Sequence, residues 1–194
     1  MGRGLPEEGE KGNNDDSANL TEYVTTRWYR DPKVILCPSQ YSKAMDIWSV
    51  GCIFAELMAR CPIFRGENYL DQIKKINDIL GSPNESDLSY ISDPQAIKFI
   101  NELPKNKKIS FSQIFPKHNQ LAIDLLEKML CFNPKNRITI EECLNHPYFK
   151  DIRDKNIREL TALHSFDWSF DKIELNKPNL QKLFYEQSLY FHPC

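Results

Sequence analysis

Cysteine and histidine side chains are the first candidates for chemistry in this 194-residue chain, because they bind metals and form disulfides. The six cysteines form no C-x-x-C pair, and the four histidines are scattered without ligand spacing. These residues are Cys37, Cys52, Cys61, Cys131, Cys143 and Cys194, with His118, His146, His164 and His192. The pattern predicts no metal site, and it favours reduced cysteines in the cytosol or nucleus over disulfides.

Phosphate binding is the second chemistry to consider, because Gly2-Arg3-Gly4 could suggest a glycine-rich loop. No predicted strand precedes this tripeptide and no predicted helix follows it, so a phosphate loop is not indicated. Residues 1–19 instead contain four of the seven glycines and carry a net charge of −3. Such a segment buries too little apolar surface to order itself, and we predict a disordered tail over 1–19.

Composition limits the remaining function classes. The chain is 41% hydrophobic with a net charge of −2, which suits one globular domain with an appended tail. There is no basic stripe with interleaved aromatic residues, so we predict no nucleic-acid partner. No apolar run is long enough to cross a bilayer and no signal peptide is recognised, so we predict no membrane association.

One stretch stands out as the element that must position the rest, Asp46–Arg60, which reads DIWSVGCIFAELMAR. Its apolar residues cover nearly every side of a helix with about 3.6 residues per turn. We therefore expect a central helix wrapped by protein all round, in a mainly α domain. Residues 20–38 do not alternate as a strand would, and we predict an ordered, irregular loop packed on this helix.

Helical spacing and capping signals predict the other elements. Further helices are expected at Asp71–Leu80, after the N-cap pair Asp93-Pro94, at Leu121–Cys131, after the capping box of Thr139 and Glu142, and at Lys177–Phe191. The last of these is amphipathic and has to lie on the domain itself or on a partner.

Two segments together carry a specific family resemblance. LTEYVTTRWYR (20–30), followed by DIWSVGCIFAEL (46–57), strongly resembles the C-terminal lobe of a MAP kinase of the extracellular-signal-regulated branch. The resemblance continues through PIFRGENYLDQI, ILGSP, LLEKMLCFNPKNRI and HPYF to a Phe-x-Pro finish at 191–193.

This resemblance implies a mainly α fold, a protein-kinase-like C-terminal lobe with a MAP kinase insert and a C-terminal helix, with the small lobe absent. Its implied domains are the disordered tail 1–19, the lobe 20–150 and a C-terminal extension 151–194. Within the lobe, the activation segment would cover 20–33 and the insert about 84–112.

The resemblance also implies roles for single residues. Thr21 and Tyr23 match the two phosphorylation sites of the activation loop, and Arg27 and Arg30 match the pair that binds the tyrosine phosphate. The implied pocket that selects proline after the target Ser/Thr is formed by Val24, Thr26, Trp28 and Arg30. Thr26 also matches a threonine that contacts the catalytic aspartate, and Asp46 matches the aspartate that braces the catalytic loop.

Two departures from the family pattern affect these expectations. The family's Ala-Pro-Glu reads Asp31-Pro32-Lys33 here, so Lys33 would face the arginine that matches Arg137 unless Asp31 replaces the glutamate. On the first reading, Lys33→Glu would stabilise the protein. In the acidic docking patch Asp154 matches one family residue, whereas Ile157 stands at the second, and we expect weakened docking of basic peptides.

The sequence leaves the activity of the chain open. No Gly-rich loop, Val-Ala-Ile-Lys, His-Arg-Asp or Asp-Phe-Gly occurs in the 194 residues. The resemblance therefore implies either a truncated proline-directed Ser/Thr kinase, inactive alone, or a catalytically dead, phosphorylatable binding module; a third possibility is a fragment that cannot hold its fold. We expect ATP and Mg²⁺ only for a full-length member. The implied partners are a dual-specificity MAP kinase kinase, phosphatases and protein substrates, in the cytoplasm or nucleus.

Overall fold

The computed structural model describes residues 27–37, 42–154, 162–164, 166–167, 169–174 and 176–192. All regular structure in these ranges is helical, and the predicted mainly α fold is confirmed. The α-helices are α1 (Pro32–Leu36), α2 (Ala44–Ala59), α3 (Tyr69–Leu80), α4 (Pro94–Glu102), α5 (Phe111–Ile114), α6 (Gln120–Met129), α7 (Ile140–Leu144) and α8 (Lys177–Phe191). Short 3₁₀ turns cover Arg27–Tyr29, Pro134–Asn136, Pro147–Phe149 and Ser169–Lys172.

The chain divides into two compact units, residues 1–155 and 156–194. The first unit holds α1 to α7 around two clusters of buried apolar residues, and α2 contributes to both. Trp48 of α2 is fully buried and stacks on Phe64, with ring centroids 5.6 Å apart. Burying these two large rings supplies a substantial part of the apolar area that holds the unit together.

The contact between α2 and α6 is close because Gly51 has no side chain. A Cβ built on Gly51 would lie 2.9 Å from Cδ2 of Leu130 and 3.0 Å from Cβ of Met129. Both distances are shorter than side chains normally tolerate, so glycine allows the two helices to approach each other.

The expectation that protein wraps α2 on all sides is wrong for one face. Ile47, Trp48, Cys52 and Ala55 are buried. Val50, Ile53 and Leu57 are 48%, 50% and 62% exposed. Apolar residues around the whole circumference of a helix show that it can be covered, but not which neighbours are present to cover it.

Local capping signals predict the helix ends well. The Asp93 carboxylate accepts a hydrogen bond from the N–H of Gln95 at 2.9 Å and so caps α4. The predicted capping box is present at α7: Thr139 Oγ1 accepts from the Glu142 N–H at 3.2 Å, and Glu142 Oε2 accepts from the Thr139 N–H at 2.8 Å. These contacts satisfy N–H groups that a helix start leaves without partners.

The second unit contains α8, which begins after the N-cap Asn176, as the sequence predicts. No side chain of α8 is buried. Four of its aromatic side chains, Phe184, Tyr185, Tyr190 and Phe191, are 65–76% exposed. None of the helices in the described ranges is both long and apolar enough to cross a membrane.

Candidate functional site: an arginine cluster before helix α1

The site is built on the short segment Arg27–Asp31, which forms a 3₁₀ turn and then the N-cap of α1. The hydroxyl of Tyr29 donates to Glu56 of α2 at 2.6 Å, and Ser49 of α2 donates to the Tyr29 carbonyl at 2.9 Å. The hydrogen bond to Glu56 raises the pKa of Tyr29, and burial adds to the shift. The segment is thereby anchored to the central helix.

Helix α3 and the loop before it hold the same segment from the other side. Trp28 donates its indole N–H to the Gly66 carbonyl at 3.1 Å, and Gln72 donates to the Trp28 carbonyl at 3.3 Å. The Arg65 guanidinium lies 5.9 Å from the centre of the Trp28 indole. These contacts fix the backbone from which Arg27 and Arg30 project.

Arg27 and Arg30 converge on one aromatic ring. Their guanidinium carbons lie 5.3 Å and 5.2 Å from the centroid of Tyr69. Arg30 Nη1 also donates to the Tyr69 hydroxyl oxygen at 2.8 Å, and Arg27 Nη1 donates to the Glu67 carbonyl at 2.8 Å. Nε of Arg27 is buried and has no hydrogen-bond partner among the residues that the structure describes. A pair of guanidinium groups with an unused N–H is suited to bind an oxyanion.

A buried ion pair lies directly after the arginine cluster. Asp31 accepts a short hydrogen bond from Arg137 Nη1, and both side chains are at most 1% exposed. Arg137 also donates to the Cys131 carbonyl at 2.9 Å and lies 5.1 Å over the Trp48 ring. Burial raises the pKa of Cys52 and of Tyr90, and the Asp31 carboxylate raises both further.

This arrangement corrects the expectation that Lys33 faces Arg137. Asp31 takes the place of the family's glutamate, which is the alternative that the sequence left open. Its other carboxylate oxygen accepts from the Lys33 N–H at 2.6 Å, so one side chain both caps α1 and pairs with the arginine. Arg137 therefore already has a buried carboxylate partner, and the reason for expecting Lys33→Glu to stabilise the chain is removed.

The other predicted site residues fall in three places. Asp46 lies in the first turn of α2 and Asp154 follows the last 3₁₀ turn of the first unit, and both are exposed. Thr21, Tyr23, Val24 and Thr26 lie outside the described residues, as does Ile157 of the docking patch. The structure thus brings together Arg27, Trp28 and Arg30, and the roles implied for these and the other residues stay predictions.

Sequence reasoning missed two parts of the structure around these residues. Tyr69, which both arginines contact, stands before the helix predicted at Asp71–Leu80, and nothing in its local pattern marks it. A second cluster joins α6 to the start of the Pro147–Phe149 turn: Asp124 accepts from Lys128 at 2.6 Å and lies 2.8 Å from Nε2 of His146. Only the Asp124 and Lys128 pair, four residues apart, was visible as a local signal.

Comparison with known proteins defines the class. Residues 4–149 match the protein kinase domain family, which covers most of the chain, and the chain therefore belongs to the protein kinase family. The match begins at residue 4, inside the segment that the sequence predicts to be a tail.

Within that family, the relatives are MAP kinases, and the resemblance seen in the sequence is confirmed. The chain is 49% identical over 174 residues to extracellular signal-regulated kinase 1 of Dictyostelium discoideum, which covers 90% of this chain and 33% of that protein. It is 44% identical to mitogen-activated protein kinase 5 of Arabidopsis thaliana (90% and 46%). It is 46% identical to mitogen-activated protein kinase mpkB of Aspergillus fumigatus (89% and 50%). The chain spans a third to a half of the length of these relatives.

Proposed function

We propose that these 194 residues supply the substrate-facing and phosphate-sensing half of a proline-directed Ser/Thr protein kinase of the MAP kinase type. The observation that carries the proposal is the arginine cluster. Arg27 and Arg30 meet on Tyr69, and the buried Nε of Arg27 has no acceptor in the described ranges. A cluster of this kind can bind a phosphorylated residue, because a phosphate brings about −1.5 to −2 charge and three acceptor oxygens.

In this proposal Thr21 and Tyr23 are the phosphorylated residues, and Arg27 and Arg30 hold the phosphate on Tyr23. Val24, Thr26, Trp28 and Arg30 form the pocket for the proline that follows the target Ser/Thr. The hydrogen bonds of Trp28 to Gly66 and of Tyr29 to Glu56 support this assignment, since the residues that line a selective pocket must be held in fixed positions.

Phosphoryl transfer is assigned to a longer product rather than to these residues alone. It needs a catalytic aspartate, carboxylates for Mg²⁺ and a lysine for ATP. The motifs that carry these groups do not occur in the 194 residues. ATP and Mg²⁺ are thus the proposed cofactors of the longer product, and Asp46 is proposed to brace its catalytic loop.

The proposed partners are a dual-specificity MAP kinase kinase, phosphatases and protein substrates, met in the cytoplasm or nucleus. Asp154 is exposed and is proposed to contribute to binding of basic docking peptides. Because Ile157 stands where the family has a second acidic residue, this docking is expected to be weak.

A second function is proposed for the 194 residues when they act alone: a phosphorylatable binding module that competes for activators, phosphatases or substrates. The 194 residues contain Thr21, Tyr23 and the arginine cluster, and these are the parts that such a module needs. In both functions the same arginine cluster responds to the same phosphates.

The test treats the purified 194-residue chain with an active dual-specificity MAP kinase kinase and locates the phosphates by mass spectrometry. We expect modification of Thr21 and Tyr23, and none in a Thr21→Ala/Tyr23→Phe control. Failure to modify either residue would contradict the proposal.

A second assay adds ATP, Mg²⁺ and a Ser-Pro peptide to the phosphorylated chain. Phosphate transfer to the peptide would overturn the assignment of catalysis to a longer product. Inhibition of a full-length MAP kinase by the chain, without transfer, is the result expected of the binding module.

A further inference from the structure

Two positively charged groups share one neutral ring in the arginine cluster. The guanidinium carbons of Arg27 and Arg30 both lie within 5.3 Å of the Tyr69 centroid. Like charges at such a site repel each other, and the negative face of an aromatic ring offsets part of that repulsion. The Tyr69 ring therefore lowers the electrostatic cost of holding the two guanidinium groups close together.

The contacts of Tyr69 also set the direction of each arginine. Arg30 donates to the Tyr69 hydroxyl at 2.8 Å, which fixes one edge of its guanidinium plane. Arg27 donates to the Glu67 carbonyl at 2.8 Å, two residues before Tyr69. Both arginines are thus oriented by the same short stretch of chain.

That stretch is itself held firmly on α3. The Gly66 N–H donates to Gln72 Oε1 at 2.9 Å, and the Glu67 N–H donates to the Asp71 carboxylate at 3.0 Å. A Cβ on Gly66 would lie 2.5 Å from the Cα of Gln72, so only glycine fits this approach. Tyr69 therefore stands on a rigid support, as a pre-organised binding group requires.

The cluster leaves a hydrogen bond unmade. Within the described part of the chain, Nε of Arg27 is buried without a partner, and a buried donor in that state is unfavourable until it meets an acceptor. A phosphate monoester supplies such acceptors and neutralises the two cations at the same time. An anion bound at the cluster would therefore satisfy this donor as well as the two positive charges.

We propose that Tyr69 is a positioning residue that holds Arg27 and Arg30 in place to bind a phosphate monoester. Its ring keeps both guanidinium groups close together, and its hydroxyl orients Arg30. The proposal rests on the proposed function, in that the phosphate it serves is the one on Tyr23. Without the ring, the arginines separate and bind the phosphate less tightly. If only the hydroxyl is removed, Arg30 loses its orientation, but the ring still keeps the two guanidinium groups close together.

The test uses the full 194-residue chain phosphorylated on Tyr23 and follows the second pKa of that phosphate by ³¹P NMR. This pKa is about 6 for a free phosphate, and nearby guanidinium groups lower it; one unit corresponds to a tenfold preference for the dianion. We expect a value about one unit below 6 in the unaltered chain. Tyr69→Phe is expected to return part of that difference, and Tyr69→Leu nearly all of it.

Leu70→Ala is the matched control, because Leu70 is the next residue of α3 and is 59% exposed. It should leave the phosphate pKa unchanged. Thermal unfolding of each variant separates loss of positioning from loss of fold, and Tyr69→Phe remains informative if Tyr69→Leu does not fold. A purely structural role of Tyr69 would lower stability without moving the phosphate pKa.

The arginine variants separate this inference from the function on which it rests. If Arg27→Ala and Arg30→Ala raise the phosphate pKa while Tyr69→Phe and Tyr69→Leu do not, the role of Tyr69 is overturned and the arginine site stands. If the arginine variants leave the pKa unchanged, the phosphate site itself is overturned, and the role of Tyr69 with it.

Discussion

At the scale of single residues, the pairing of Asp31 with Arg137 is the most consequential contact. Both side chains are buried, and Arg137 also binds the carbonyls of Cys131 and Ala44. The acidic partner stands two residues earlier than in the family pattern, immediately after the arginine cluster. The ion pair therefore ties the segment Arg27–Asp31 to the core of the first unit.

Asp31→Ala is expected to lower the free energy of unfolding by about 3–5 kcal/mol, since it leaves Arg137 buried without its anion. Asp31→Ala combined with Lys33→Glu should recover part of this loss, because it restores the family's arrangement. Melting temperatures from circular dichroism measure both effects.

Lys33→Ala is the control for these two variants and should have little effect on the melting temperature. If the double variant is as unstable as Asp31→Ala, a glutamate at position 33 cannot reach Arg137.

A second residue-scale prediction concerns acid pH. The hydrogen bonds from Lys128 and then His146 lower the pKa of Asp124 below its ordinary value near 4. A lowered carboxyl pKa stabilises the folded state above the unfolded pKa, and this contribution disappears as pH falls through the folded pKa. Asp124 is 49% exposed, so its effect is at most about 1 kcal/mol after solvent screening.

The measurement compares the melting temperatures of the unaltered chain and Asp124→Asn between about pH 3 and pH 5.5, a window that brackets the ordinary carboxyl pKa. The difference should be constant in the upper part of this window and should shrink below about pH 4. A difference that grows toward acid pH would contradict the direction of the pKa shift.

At the scale of elements, the approach of α2 to α6 depends on a missing side chain. Gly51 faces Met129 and Leu130, at the end of α6, at a distance that leaves no room for a Cβ. Glycine in the middle of a helix costs about 1 kcal/mol relative to alanine, so a packing gain has to offset that cost.

Gly51→Val is expected to destabilise the chain by about 1–3 kcal/mol, because the added methyl groups overpack the α2–α6 contact. Urea denaturation gives the free energy directly. Val50→Ala, one residue away on the exposed face, serves as the control and should change it by less than about 0.5 kcal/mol. A gain in stability for Gly51→Val would show that helix propensity, not packing, governs this position, because valine is a better helix former than glycine.

At the scale of the whole molecule, one face of the central helix α2 is apolar and exposed. Val50, Ile53 and Leu57 recur at helical spacing and remain about half exposed or more. An apolar stripe of this kind on a central helix is a surface that another protein surface would cover.

Replacing Ile53 and Leu57 together with glutamine tests this face. In the 194-residue chain we expect an unchanged melting temperature and less aggregation, since exposed apolar side chains contribute little to folding. In a longer product that covers the stripe, the same change should lower the melting temperature. Trp48→Ala is the control that should destabilise both, by about 3–5 kcal/mol.

The sequence by itself determined the class of protein and most of the helices. The ends of α4 and α7 followed from Asp93 and from Thr139 with Glu142, because a capping contact joins residues only two or three positions apart. The family resemblance rested on contiguous runs of residues and was confirmed by the protein kinase match.

Only the tertiary structure decided which carboxylate pairs with Arg137, which face of α2 is covered and that Arg27 and Arg30 meet on Tyr69. These contacts join residues 106 and about 40 positions apart in the chain. Side chains so distant leave no local period or spacing in the sequence, because the folded core alone brings them within hydrogen-bond distance.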